Sequence, residues 1–188
     1  MCRMQDEERL KKNIGKYLPD IIKGGLNILD IGAGDCLFSV MCRRYNNNCL
    51  SIESNLQYVE STLNNDGVII CDALDVFYYG NSIVESIKYD IVNMFYSLCL
   101  IFGIHCRLEQ KKIHWNYSEE MNIAFKKMVE YLRSIIKDGG IVLIGSHNTS
   151  ESKKYSDYII DLFERSGFEF MKKDKDIIHK FRKKNETV

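Results

Sequence analysis

The sequence predicts an α/β fold: a doubly wound, mostly parallel sheet of seven strands that ends in an antiparallel hairpin. Three observations predict it. Short apolar runs alternate with segments whose apolar residues recur every three or four positions, the pattern of successive βα units. The first apolar run, Asn27–Ile31, passes directly into the glycine loop Gly32-Ala33-Gly34, which lets the chain turn sharply from a strand into a helix N-terminus. The last two runs, Phe168–Met171 and Ile177–Phe181, are joined by the short polar turn Lys172–Asp176. A parallel return needs a longer crossover, so this pair must be antiparallel.

The elements follow in order. Leu10, Ile14, Tyr17 and Leu18 share one helical face, within an N-terminal helical segment over 6–24. After the first strand and its loop, Leu37, Phe38, Val40 and Met41 mark a helix. Asn46, Asn47 and Asn48 read as a turn, since asparagine tolerates left-handed backbone. Cys49–Ile52 is a strand, Leu56, Val59 and Leu63 mark a helix, and Val68–Cys71 is a strand. Ile83, Val84 and Ile87 suggest a short helix, and Tyr89–Phe95 a strand that runs into an apolar stretch ending at Ile104. Met121, Phe125, Met128, Val129, Leu132, Ile135 and Ile136 form the strongest helical stripe, with Gly139-Gly140 as its expected left-handed cap. Ile141–Gly145 is the fifth strand, and Tyr155, Tyr158, Ile159, Leu162 and Phe163 line the last helix, closed by Gly167.

Composition limits what the chain can be. At 188 residues, one domain over 1–188 is the natural expectation, with enough chain to bury a core without a metal or disulfides. The 26 basic and 26 acidic residues cancel, which argues against a protein held to nucleic acid by charge alone. Seven cysteines, none at two-residue spacing, fit buried thiols in a reducing compartment rather than a disulfide framework or zinc knuckle. The N-terminus has no apolar signal region, and Met94–Ile104 is about half the length needed to span a bilayer. These features point to a soluble, cytoplasmic protein with no membrane partner.

The chemistry concentrates at one edge of the expected sheet. Ligands of open parallel sheets bind beyond the carboxyl ends of the strands, where the glycine loop falls. About twenty residues after that loop the second strand ends in Glu53, a carboxylate able to accept both hydroxyl hydrogens of a ribose. Asp72 follows the third strand. A dinucleotide site asks for a third glycine, G-x-G-x-x-G, at the position of Leu37. That disfavours a nicotinamide-dependent oxidoreductase without removing it; the alternative that fits the same spacing is S-adenosylmethionine, which has a ribose, an adenine and a charged amino acid but no phosphate.

With these motifs in order, the chain resembles the class I S-adenosylmethionine-dependent methyltransferases across residues 6 to 182. LDIGAGD (29–35), SIESN (51–55), CDALD (71–75), YDIVNMFYSL (89–98), IKDGGIVLI (136–144) and SGFEF (166–170) match the family's motifs in sequence. The resemblance implies a Rossmann-like fold and a cofactor set of Asp30, Gly32, Ala33, Gly34, Glu53, Ser54, Asp72, Ala73 and Asn93. Glu53 would bind the ribose hydroxyls, Asp72 the adenine amino group, and Asn93 would lie near the methionine end.

The chain also departs from the pattern. Cys36 stands where a third alternate glycine is frequent, and Asp138 replaces a proline. There is no Asp/Asn-Pro-Pro-Tyr motif and no Pro-Cys pair, which disfavours amino methylation in that style and covalent cytosine methylation.

Methyl transfer from a sulfonium needs a positioned acceptor, and a base only if the acceptor must lose a proton. His147 is the candidate base, with Tyr96 and His114 shaping the acceptor pocket and the segment 96–116 acting as a lid. The bland readings stand beside these: Tyr96 as packing, His105 and His114 as loop histidines, and Lys180–Lys184 as a solvated basic end. Neutral net charge favours a small-molecule acceptor. An RNA or protein acceptor completed by a partner subunit, and a non-catalytic relative of the family, are the alternatives. The oligomeric state is not legible.

Overall fold

The computed structural model describes residues 7–57, 67–94, 119–145, 150–173 and 178–185. The strands are β1 (Asn27–Ile31), β2 (Asn48–Glu53), β3 (Val68–Ile70), β4 (Tyr89–Met94), β5 (Ile136–Gly145), β6 (Phe168–Lys173) and β7 (Ile178–Lys183). The helices are α1 (Glu7–Tyr17), α2 (Leu37–Arg44), α3 (Ala73–Tyr79), α4 (Ser82–Glu85), α5 (Glu119–Ile135) and α6 (Ser150–Arg165), with a 3-10 helix at Pro19–Lys23. The strands form one sheet in the order β3-β2-β1-β4-β5-β7-β6. The first five pair in parallel, and β7 runs antiparallel between β5 and β6. Chain order reverses between β1 and β4, so the crevice of an open α/β sheet opens at their carboxyl ends.

Alternation along the strands divides the core into two layers. Ile28, Cys49, Ile91 and Leu143 pack against α1, the 3-10 helix and α2 through Leu10, Ile14, Ile21, Phe38 and Met41. Leu29, Ile31, Val92, Met94, Val142 and Ile144 pack on the other face, against Val76, Phe77, Val84, Phe125, Met128, Leu132 and Phe163 of α3 to α6. A sheet buried on both faces explains why its central strands read as continuous apolar runs. The C-terminal hairpin is tied down by aromatic stacking: Phe163 and Phe181 lie 4.2 Å apart at 16°.

Several elements differ from the sequence expectation. The helix α3 was not anticipated; Asp72 caps it by accepting a hydrogen bond from the Leu74 amide at 2.9 Å. The helix α5 stops at Ile135, and Ile136 already pairs with Tyr89 at the start of β4, so Gly139-Gly140 is not a helix cap. The next pair is Ile91 with Ile141, so residues 137–140 bulge out within β5. Glycine is needed there because a Cβ at position 140 would sit 2.7 Å from Ile136 Cγ1 and 2.8 Å from the Lys137 carbonyl. The strands β6 and β7 run further than the apolar residues alone suggest, to Lys173 and Lys183, because ladder pairing continues through polar positions. The helix expected from Leu56, Val59 and Leu63 lies largely outside the described residues.

The asparagine turn is a structural clamp. Asn46 takes φ +64°, and Asn47 is buried. The Asn47 side chain accepts from the Leu26 amide at 3.0 Å and donates to the carbonyls of Ile21 at 2.9 Å and Cys42 at 3.0 Å. It thereby joins the 3-10 helix, the entrance to β1 and the end of α2. Asn47→Ala strands buried backbone groups and is expected to cost about 2–3 kcal/mol. Urea unfolding checks this; a loss under about 0.5 kcal/mol would mean that water replaces the clamp.

Candidate functional site

The site is built at the carboxyl ends of β1, β2 and β4. The amides of Gly32 and Ala33 donate to the Ile52 carbonyl of β2 at 2.8 and 3.1 Å, which pins the glycine loop to its neighbouring strand. Gly34 has φ +57°, and a Cβ there would meet none of the described residues within 4 Å, so the loop is open toward the described part of the chain. Cys36, at the start of α2, adopts left-handed backbone at φ +55°, unusual for a residue with a side chain. Its thiol is buried and lies 3.7 Å from the Gly34 carbonyl, and burial pushes its pKa up to about 12. It is therefore an inert filler beneath the loop.

Glu53, 7% exposed, ends β2 beside this loop. One carboxylate oxygen accepts from the Gly34 amide at 2.7 Å and the other from the Asn55 amide at 2.8 Å. Each oxygen keeps a further lone pair, so the carboxylate is aimed without being exhausted as an acceptor. Ser54 follows on the surface. The Cys71 amide donates to the Glu53 carbonyl at 3.2 Å, which brings Asp72 and the buried Ala73 to the same edge. Asp72 is exposed; one of its oxygens caps α3.

Beneath the loop lies a row of buried polar residues. Asp30 is the register partner of Ser51 on β2 and of Asn93 on β4. Asp30 is 2% exposed. It accepts from Ser39 of α2 at 2.9 Å and from the Asn93 amide nitrogen at 2.8 Å, and the Ser39 and Ser51 hydroxyls lie 2.5 Å apart. Burial raises the Asp30 carboxyl to about 6, despite the lowering effect of its bonds to Asn93 and Ser39. The Asn93 carbonyl oxygen is buried and accepts no hydrogen bond from the described residues. An orphaned acceptor of that kind is rare and calls for a donor.

The structure thus gathers Asp30, Gly32, Ala33, Gly34, Glu53, Ser54, Asp72, Ala73 and Asn93 at or just below one sheet edge. Tyr96, His114 and His147 lie outside the described residues, as does the segment 96–116. Sequence reasoning missed Ser39, Ser51 and the Asn55 amide. A period of two along β2 puts Ser51 on the face of Glu53, the one signal that could have found it.

Among the described residues a cleft of about 260 Å³ lies elsewhere, at the amino ends of the parallel strands. Its charged side chains already have partners: Lys137 pairs with Asp90 at 2.8 Å, Asp20 with Lys23, Asp138 with Lys183 at 3.0 Å, and Lys180 donates to the Tyr17 carbonyl at 2.8 Å. Among the described residues no group of histidine, cysteine, aspartate or glutamate side chains could hold a metal, and no helix is long and apolar enough to cross a membrane.

This topology, with the glycine loop over β1 and a terminal antiparallel strand pair, is the fold of the class I S-adenosylmethionine-dependent methyltransferases. Solved structures share it at low sequence identity. The N-methyltransferase NodS of Bradyrhizobium japonicum WM9 is 10% identical, with 95% of this chain and 94% of that one covered and a TM-score of 0.60. The magnesium protoporphyrin IX methyltransferase of Synechocystis PCC 6803, solved with bound SAM, is 14% identical over 94% of this chain and 79% of that one, TM-score 0.57. A 16S rRNA methyltransferase of T. thermophilus, in complex with AdoMet and guanosine, is 16% identical over 98% of this chain and 44% of that one, TM-score 0.59. No family model matches the sequence, and no curated protein does.

Proposed function

We propose that the chain is an S-adenosylmethionine-dependent methyltransferase acting on a small molecule. The observation that carries this reading is the pairing, at one switch point, of a glycine loop clamped to Glu53 with the orphaned carbonyl oxygen of Asn93. These groups fit the cofactor. Glu53 would hold the ribose hydroxyls, the open loop at Gly34 would admit the ligand, and Asn93 would accept from the methionine ammonium. The free oxygen of Asp72 would take the adenine amino group.

The bound sulfonium supplies an already activated methyl group. The chain's own task is then to align an acceptor in line with it and to exclude water. His147, two positions past the end of β5, is our candidate for taking an acceptor proton, with Tyr96 and His114 lining the acceptor side. The balance of 26 basic and 26 acidic residues supports a small acceptor over a polyanion.

Calorimetric titration with S-adenosylhomocysteine tests the cofactor, with saturable micromolar binding expected. No heat at millimolar ligand would sink the reading. Labelled methyl donor offered with small-molecule and RNA acceptors then tests the second half. Salt-sensitive RNA binding and RNA labelling would move the acceptor assignment to nucleic acid.

A further inference from the structure

We propose that Asp30 is a positioning residue rather than a direct ligand contact: with Ser39 and Ser51 it forms a buried relay that fixes the amide of Asn93, and its protonation releases that amide. The proposal rests on the cofactor reading above and deepens it by naming what controls the methionine end of the site.

The geometry sets a direction. The Ser39 hydroxyl has one proton and gives it to Asp30, so the short contact between Ser39 and Ser51 is donated by Ser51. The chain therefore runs from Ser51 through Ser39 to Asp30, and Asp30 receives the Asn93 amide nitrogen from the other side. An ionised carboxylate is acceptor-only, so it can hold Asn93 in one orientation alone, nitrogen inward and carbonyl oxygen free. That free oxygen is the orphan. Asn93 is 1% exposed, so its amide orientation is set by this network and not by bulk water.

Protonation reverses the logic. A neutral Asp30 carries an O–H that can donate to the Asn93 carbonyl oxygen. The amide then turns, and its nitrogen faces the place of the ligand's ammonium, two donors opposed.

The surroundings favour such a proton. Burial raises the Asp30 carboxyl to about 6, and the charges of Glu53 on β2 and Asp35 in the glycine loop push the same way. The other groups nearby are the buried thiols of Cys36 and Cys42, with Arg43 of α2 beside those thiols. On β4 the facing group is Asn93 itself.

The test compares two ligands. S-adenosylhomocysteine carries the amino-acid part, and 5′-methylthioadenosine lacks it but shares the ribose and adenine. Titrations from pH 7 to pH 5 keep the ligand's amino group protonated, and any titration at the ribose or adenine end cancels in the ratio of affinities. That ratio should fall about tenfold across the window, because only about a tenth of Asp30 stays ionised at pH 5. Asp30→Asn, which has no ionised form, should weaken S-adenosylhomocysteine more than about tenfold at pH 7, remove the pH dependence and leave 5′-methylthioadenosine unchanged. Ser39→Ala removes a bond that lowers the Asp30 pKa, so the midpoint should move to higher pH.

A flat ratio in the unaltered protein, or variants that weaken both ligands equally, would overturn the relay while leaving the cofactor site standing. If the unaltered protein binds neither ligand, the cofactor reading itself fails and the relay falls with it.

Discussion

If Glu53 holds the cofactor ribose as proposed, Glu53→Ala should lower the affinity for S-adenosylhomocysteine by about a hundredfold or more, since two charge-assisted hydrogen bonds are each worth about 1.5–3 kcal/mol. The loss has a second source. The Glu53 carboxylate holds the Gly34 and Asn55 amides at 2.7 and 2.8 Å, so alanine also releases the glycine loop from β2 on its open side. Glu53→Gln keeps one acceptor oxygen and the shape of the side chain, and its loss should fall between those of alanine and the native protein. Stability should change little, because the Gly32 and Ala33 amides keep their bonds to Ile52. Calorimetry with a melting control reads both quantities. Unchanged affinity in the alanine variant would remove Glu53 from the site.

Phe181→Ala is expected to destabilise the chain by about 3–5 kcal/mol, the usual cost of deleting a buried ring and leaving a cavity. Phe181 is fully buried on β7, 4.2 Å from Phe163 of α6 and 5.6 Å from Phe170 of β6. One ring thus joins the terminal hairpin to the helix covering it. At this chain length about 2–4 °C of melting temperature goes with each kcal/mol, so a shift of about 10 °C is expected. S-adenosylhomocysteine affinity of the folded fraction should stay within about threefold, since two strands separate β7 from β1 in the sheet. A loss below about 1 kcal/mol in denaturant titrations would show that the hairpin is not held by this stack.

The linear chain revealed its strands and most helices because burial on both sheet faces leaves an unambiguous apolar record. Asn27–Ile31, Tyr89–Met94 and the stripe from Phe125 to Ile135 are legible for that reason. The antiparallel ending followed from the length of one turn alone. The helix α3 was not legible: its start depends on Asp72, which reads equally well as a ligand carboxylate and as a cap. Gly139-Gly140 misled because a glycine pair after a helical stripe fits a cap, whereas the pairing of Ile136 with Tyr89 had already begun the strand.

The candidate site divides in the same way. Local sequence determined the glycine loop, Glu53 and Asp72, because each sits where a strand ends and the chain must turn, and turning leaves a residue-level signature. Only the tertiary structure decided what those residues touch. Ser39, Ser51, Asp30 and Asn93 come from one helix and three strands, and Asp30 and Asn93 are 63 positions apart. Their hydrogen bonds exist because parallel strands bring residues of unrelated sequence position into one lateral row, and because burial there removes the water that would otherwise satisfy them.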